Sequence, residues 1–178
     1  MPAPLHGRKV LFVIAPEQFR DEELFEPKKA LEAAGARTSI ASTKTAIAIG
    51  MLGGKVMPQM SLRDAHAADF DAVVVVGGAG APRHLWDQAQ LHGILRDAAK
   101  AGKVVAGICL SGAVLAKAGV LQGKRATCWP DPAALGALEK GGATYEKTGV
   151  VADGKCVTAD GPTSAKAFGE AVAKAMQG

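Results

Sequence analysis

Three continuous apolar runs, separated by helix-like segments, constrain the fold of this chain more than any other feature. The runs are KVLFVIA at residues 9–15, DAVVVVGG at 71–78 and KVVAGI at 103–108. A strand covered on both faces shows no alternation of polar and apolar residues, and consecutive valines favour strands. Because each run is followed by a segment with helical features, the order predicts an α/β three-layer sandwich. Its central sheet is mostly parallel, with helices on both faces.

The segments between these runs supply helices and shorter strands. DEELFEPKKALEAAG at 21–35 has acidic residues in its first turn, and Pro27 within it predicts a late helix start or a kink. Residues 43–60 contain two glycine-bearing breaks and predict a small hairpin. GKRATCW at 123–129 predicts a further strand, and residues 161–176 predict a closing helix.

Length and composition indicate the number of domains and argue against nucleic-acid binding and membrane insertion. The chain has 178 residues, which predicts a single domain over 1–178 with a loose tail at 1–7. The net charge is +4, but the basic residues are scattered and aromatic content is 4%, so we expect no nucleic-acid partner. No apolar run approaches the ~20 residues of a membrane span, and the N-terminus lacks the apolar segment of a signal peptide. We therefore expect a cytoplasmic protein without membrane contact.

The cysteines do not form a metal-binding or disulfide pattern. Cys109, Cys128 and Cys156 are odd in number and far apart, and no two of them form a CxxC pair. The sequence therefore predicts neither a disulfide framework nor a structural zinc site, and we expect no metal and no cofactor.

In folds of this kind, the ligand lies at the carboxyl ends of the strands. Cys109 stands at such an end, between a strand and a helix, where the helix N-terminus favours the thiolate. The surrounding GICLSG resembles the G-x-nucleophile-x-G formula of a nucleophile elbow, with Ser111 in place of the second glycine. A free cysteine in apolar surroundings is more often an inert core residue, so this stretch alone leaves both interpretations open.

Two glycines follow the valine strand. Gly77 and Gly78 allow backbone N–H groups to converge on an anion, so they and the N–H of Leu110 are candidates for an oxyanion site. A tight turn that needs positive φ is the alternative interpretation of the same pair.

Glu23 and His84 are the candidate partners of the thiol. Glu23 lies in the turn after the first strand, where a desolvated carboxyl could be protonated and donate a hydrogen bond to a thiolate. All four histidines precede Cys109, and His84, just after the glycine pair, is the only candidate base among them.

Taken in order, four stretches resemble the ThiJ/PfpI superfamily, which includes the Parkinson-associated deglycase and archaeal intracellular protease-like proteins. They are KVLFVIAPEQFRDEELFEPKKALEAAGA, FDAVVVVGGAGAP, GKVVAGICLSGAVLAKAGVLQGKRAT and GPTSA. The resemblance implies a flavodoxin-like, class I glutamine amidotransferase-like fold and a homodimer or larger homo-oligomer. It also implies that Cys109 is the elbow cysteine, Glu23 its hydrogen-bond partner, and Gly77 and Gly78 the glycines that face the thiol.

Two departures from the family pattern bear on activity. Leu110 stands where protease-like members carry histidine, and Trp129 stands where the deglycase has a histidine before proline, with Cys128 beside it. A cysteine peptidase or amidase would therefore lack its base. The resemblance implies instead a glyoxalase- or deglycase-like enzyme of stress protection that acts on small reactive carbonyls. In that enzyme, Cys109 is the nucleophile and Glu23 carries the proton. The alternative is a redox-sensing protein in which an oxidant converts Cys109 to the sulfinate without turnover.

Three further residues are candidates for the surroundings of the cleft. Trp129 is predicted as a cleft wall or packing residue. Cys128 is predicted as a second thiol if it lies within disulfide reach of Cys109. Asp160 either approaches the cleft from the last strand or caps the closing helix.

Overall fold

A seven-stranded sheet forms the centre of the structure, a computed structural model that describes residues 3–178. The strands are β1 (Lys9–Val13), β2 (Glu17–Phe19), β3 (Arg37–Ser42), β4 (Ala48–Gly50), β5 (Lys55–Val56), β6 (Met60–Ser61), β7 (Ala72–Val75), β8 (Val104–Ile108), β9 (Arg125–Ala126), β10 (Thr144–Tyr145), β11 (Val150–Asp153) and β12 (Cys156–Ala159). The helices are α1 (Asp21–Ala33), α2 (Ala81–His84), α3 (Ala89–Lys100), α4 (Gly112–Lys117), α5 (Pro132–Lys140) and α6 (Ala165–Gln177).

The strand order of the main sheet is β11-β12-β8-β7-β1-β3-β6. Every neighbouring pair is parallel except β11 and β12, which form an antiparallel hairpin. From β1 the chain first builds outward through β3 and β6, and it then returns to the other side of β1 with β7 and β8. This reversal of direction places the crevice for a ligand at the carboxyl ends of β1 and β7.

Side chains that alternate along β1 build a core on each face of the sheet. Leu11 and Val13 belong to a buried cluster with residues of α3, α4 and α5. Val10 and Phe12 belong to a second cluster with residues of α1 and α6. Both faces are covered, which confirms the predicted flavodoxin-like three-layer sandwich and explains why the strands are apolar throughout.

Helix α1 differs from the expectation based on its proline. It begins at Asp21 and continues through Pro27 to Ala33, so the helix does not start late. Pro27 instead packs against α6, where a Cβ atom at Gly169 would lie 2.7 Å from the Pro27 Cα. Gly169 therefore allows the two helices to approach closely at this point.

The strand predicted at 123–129 is much shorter and lies outside the main sheet. Only Arg125–Ala126 pairs, with β10, in a separate two-stranded sheet. The next N–H groups serve other partners: that of Thr127 donates to Thr158 Oγ1 at 2.9 Å, and that of Trp129 donates to the Cys109 carbonyl at 3.1 Å. Because these N–H groups bond elsewhere, the pairing of β9 with β10 ends at Ala126. The same bonds also bring the segment to the site described below.

Part of the segment predicted as a loose tail, residues 1–7, packs against the rest of the protein. Leu5 is fully buried, and its N–H donates to the Ala34 carbonyl at 2.8 Å. Burial of that leucine holds residues 3–7 against the end of α1, contrary to the expectation. The first two residues of the predicted tail lie outside the described residues.

The predicted hairpin within 43–60 is present as β4 and β5, and β2 pairs with it in a small three-stranded sheet. Exposed apolar side chains are concentrated here: Ile47, Ile49, Met51, Leu52 and Met57. An assembly of copies, expected from the resemblance, stays a prediction. Within residues 3–178, no helix combines the length and apolar character that crossing a bilayer requires.

Candidate active site

Cys109 occupies a sharp turn between β8 and α4. Its φ is 61°, in the left-handed region that residues other than glycine rarely adopt. Such a conformation costs on the order of 1 kcal/mol and persists only where surrounding contacts enforce it. The side chain is 7% exposed. The turn therefore holds the thiol at the carboxyl end of β8, at the edge of the crevice.

Hydrogen bonds from three other parts of the chain fix this turn. The Trp129 N–H donates to the Cys109 carbonyl, and Trp86 Nε1 donates to the Leu110 carbonyl at 2.8 Å. The hydroxyl of buried Ser111 donates to the Val76 carbonyl at 2.7 Å. Ser111 therefore does more than supply the small side chain of an elbow, because it ties the elbow to the end of the neighbouring strand.

Glu23 lies behind the thiol, completely buried at the start of α1. Neither carboxyl oxygen has a hydrogen bond of regular geometry within the described residues, although the carboxyl faces the Cys109 thiol and the Gly77 N–H. Burial raises the pKa of Glu23 to about 8, since it penalises the charged form, while the contacts with Cys109 and Gly77 lower the pKa. At neutral pH the carboxyl is therefore mostly protonated.

The pKa of Cys109 moves in the direction opposite to that expected from the helix N-terminus. Burial raises it, and a charged Glu23 raises it further, whereas the N–H groups of Leu110 and Gly78 lower it. Protonation of Glu23 removes the repulsion and supplies an O–H donor for the thiolate. The two groups therefore titrate as a coupled pair that readily holds one negative charge but not two.

This coupling predicts the pH dependence of alkylation. We expect Glu23→Gln to react with iodoacetamide at Cys109 faster than the wild type above pH 8, because a neutral amide removes the charge that raises the thiol pKa. Below pH 8 the wild-type carboxyl is itself mostly neutral, so the two rates should converge. Peptide mass spectrometry from pH 6 to 10 measures both rates. A wild type that reacts faster at pH 9 would contradict the coupling.

The glycine pair is required by close packing around the thiol. A Cβ atom at Gly77 would lie 2.6 Å from Glu23 Oε1 and 2.8 Å from the Cys109 Cβ. Gly78 has a φ of +110°, and a Cβ there would meet the backbone of Arg20 and Gln18. The tight-turn interpretation therefore holds. The same turn directs the Gly78 N–H toward the thiol.

Substitution of Gly77 should measure the importance of this packing. We expect Gly77→Ala to lower the free energy of unfolding by about 3 kcal/mol, because the added methyl overlaps Glu23 and Cys109. Gly93→Ala is a suitable control. Gly93 lies within α3 with nothing near its missing Cβ, so alanine should stabilise by about 0.5–1 kcal/mol. Urea denaturation tests both, and equal effects of the two substitutions would refute the packing argument.

A pocket of about 210 Å³ opens over the thiol. Its lining residues come from six separate parts of the chain: Arg20, Met51, Gly78, Ala79, Cys109, Leu110, Trp129 and Pro162. Trp129, predicted as a cleft wall or a packing residue, is half exposed and lines this pocket. A larger depression of about 530 Å³ lies beside Lys117 and Lys140, but none of the residues of the thiol site line it.

Other predicted site residues lie elsewhere. His84 Nε2 is 3.1 Å from Glu17 Oε1 at the surface, and it does not line the pocket of Cys109. Asp160 accepts a hydrogen bond from the Ser164 hydroxyl at 2.7 Å. It does not cap α6, since the structure gives that helix no side-chain cap.

Cys128 is fully buried in the cluster with α3, α4 and α5, whereas Cys109 belongs to the cluster on the opposite face of the sheet. In residues 3–178 both are free thiols. The predicted second thiol therefore packs away from the pocket, and burial raises its pKa to about 12.

Arg20, Met51 and Pro162 line the pocket although the sequence patterns did not single them out. Arg20 donates through Nε and Nη2 to the two carboxylate oxygens of Glu22, at 2.9 and 3.0 Å. Its position directly before α1 was the only available signal. No local pattern marks Met51, because it approaches the pocket only through the folded hairpin.

Comparison with known proteins identifies the family. The sequence profile of the DJ-1/PfpI family matches residues 8–175. The chain belongs to the DJ-1/PfpI family. Its elbow cysteine, buried glutamate and glycine pair thus lie within a family domain that covers nearly the whole chain.

Individual family members agree with this assignment. An uncharacterized protein of Methanocaldococcus jannaschii is 45% identical over 173 residues, which cover 97% of this chain and 84% of the relative. A deglycase of Pyrococcus horikoshii is 35% identical over 122 residues, which cover 68% and 72%. The crystal structure of a ThiJ/PfpI domain protein from Brachyspira murdochii superposes with a TM-score of 0.88, at 38% identity, over 95% of this chain and 97% of that one.

Proposed function

We propose that this DJ-1/PfpI protein is a cysteine-dependent enzyme that converts small reactive carbonyls, in particular α-oxoaldehydes such as methylglyoxal or their adducts on protein. One observation carries the proposal: the Cys109 thiol lies on a strained turn at the base of a pocket, against a carboxyl whose pKa is about 8. The deglycase of Pyrococcus horikoshii among its relatives supports the same chemical class.

The site residues suit the first step on methylglyoxal. The reactive form of the pair is the one in which Glu23 is protonated and Cys109 holds the single negative charge. The Cys109 thiolate attacks the aldehyde carbon, a C–S bond forms, and the carbonyl electron pair moves to oxygen. The N–H groups of Gly78 and Leu110, which favour negative charge on the thiol, are placed to stabilise the oxyanion that replaces it. Glu23 then donates its proton to that oxyanion, which gives a hemithioacetal.

Glu23, now a carboxylate, is the base for the second step. It removes the proton on the former aldehyde carbon to give an enediolate and returns that proton to the adjacent carbon. The hydroxyl proton on the former aldehyde carbon moves to the neighbouring oxygen, which leaves a lactoyl thioester on Cys109. Water hydrolyses the thioester to lactate and restores the thiol, so the sum is methylglyoxal plus water to lactate and a proton. A pKa near 8 suits a group that must both give and accept a proton near neutral pH.

The direct test is lactate formation by the purified protein with methylglyoxal as the only substrate. We expect lactate to accumulate in proportion to protein concentration, with the carbonyl consumed in equal amount. A rate of lactate formation no higher than that in buffer alone would refute the proposal.

The redox-sensing alternative has less support from the same geometry. Both functions require the Cys109 thiolate, so the raised pKa of that thiol does not separate them. A sensor, however, needs no walls for an organic substrate, whereas Trp129 and Leu110 provide them here. A peptidase or amidase again lacks a histidine base, since His84 contacts Glu17.

A further inference from the structure

The tip of the β4–β5 hairpin is fastened to the start of α1 by one buried carboxylate. Asp21, 7% exposed, accepts hydrogen bonds from the N–H groups of Leu52 and Gly54, each at 2.8 Å. Gly54 leaves no room for a side chain, because a Cβ there would lie 2.5 Å from Asp21 Oδ2. The tip is therefore built around this carboxylate, and α1 directs Asp21 to the hairpin two residues before it directs Glu23 to the thiol.

Fastening the tip places Met51 at the pocket. The Met51 N–H donates to the Phe19 carbonyl at 2.8 Å, and its Sδ accepts from the Ala79 N–H at 3.4 Å. Ala79 directly follows the glycine pair, and both Met51 and Ala79 line the pocket of Cys109. The Met51 side chain thus spans from the hairpin to the glycine turn and forms one wall of a space of about 210 Å³.

We propose that Met51 sets the upper size limit of the electrophile that reaches Cys109, and that Asp21 is a positioning residue that holds Met51 in place. The size limit applies to any electrophile, but its application to an enzyme substrate rests on the function proposed above. It predicts that aldehydes with a small substituent, such as the methyl group of methylglyoxal, react faster than aldehydes with an aromatic ring.

Two alkylating reagents of different size test the limit without requiring turnover. Iodoacetamide and iodoacetanilide both form a C–S bond and release iodide, but the second carries a phenyl ring. We expect the wild type to favour the smaller reagent at Cys109. Met51→Ala should reduce this preference at least about tenfold, whereas Met51→Leu, of similar volume, should keep it within about twofold. An unchanged preference in Met51→Ala would overturn the proposal.

Kinetics with methylglyoxal and phenylglyoxal provide the second readout. The ratio of their kcat/KM values should move toward phenylglyoxal in Met51→Ala, by a factor similar to the change in alkylation preference. If the wild type converts neither aldehyde, the proposed function fails, and the alkylation ratio alone decides the size limit.

Asp21→Asn tests positioning. The amide retains one acceptor oxygen but turns an N–H donor toward the tip, so it cannot accept from both Leu52 and Gly54. We expect the alkylation preference to fall at least about threefold in Asp21→Asn. In the double variant Asp21→Asn/Met51→Ala, the preference should be the same as in Met51→Ala alone. A preference like that of the wild type would show that Asp21 does not position Met51.

Discussion

Cys109→Ser is expected to reduce lactate formation from methylglyoxal at least roughly a hundredfold. Serine differs from cysteine by one atom, so the elbow and the pocket should be retained. Its hydroxyl, however, is a far weaker acid than a thiol and a poorer nucleophile without an adjacent base. The titratable group in contact with the thiol is Glu23, and a carboxyl that is mostly protonated at neutral pH cannot deprotonate an alcohol. Lactate release at saturating methylglyoxal measures the loss.

Cys156→Ser is the matched control for this substitution. Cys156 is also a buried free thiol, in β12, and its Sγ donates to the Val120 carbonyl at 3.5 Å, a bond that a serine hydroxyl can keep. We expect this variant to retain wild-type activity. If Cys109→Ser retains it as well, Cys109 is not the nucleophile and the proposed mechanism is wrong.

The second large effect concerns stability. Glu23→Gln should become more stable relative to the wild type as pH rises from 5 to 8, by about 1.4 kcal/mol per pH unit at most. The carboxyl pKa is raised from 4.5 to about 8 in the folded protein, so between these values the folded state keeps a proton that the unfolded state loses. The contribution of Glu23 to stability is therefore fully present below pH 4.5 and is lost as pH rises through 8.

Urea denaturation of both proteins at pH 5, 6, 7 and 8 measures this difference. Glu22→Gln serves as the control, because Arg20 lowers the pKa of Glu22 below its usual value of 4.5. Its difference from the wild type should then stay constant over the same range. Parallel stability curves for Glu23→Gln and the wild type would mean that Glu23 is charged when buried, contrary to the role proposed for it.

Features that depend on neighbouring residues were predictable from the sequence. Continuous apolar runs indicated the core strands, and the fold follows from their order. The glycine pair after the valine strand and the small residues around Cys109 indicated tight turns, because such turns need glycine or small side chains at fixed positions. The length predicted for the 123–129 strand was wrong because its end depends on residues that are distant in the sequence. Its propensity is local, but the partners of its N–H groups, Thr158 and Cys109, come from distant parts of the chain.

The layered fold, and the position of Cys109, Glu23 and the glycine pair at the carboxyl ends of neighbouring strands, could thus be inferred from the order of residues. Their protonation and their contacts depend on how distant segments pack. The protonation of Glu23 follows from complete burial among elements that converge in space, and desolvation has no signature in the order of residues. The same holds for Asp21, which looked like an ordinary first-turn charge. Only the folded hairpin, 31 residues further on at Leu52, reveals what it binds.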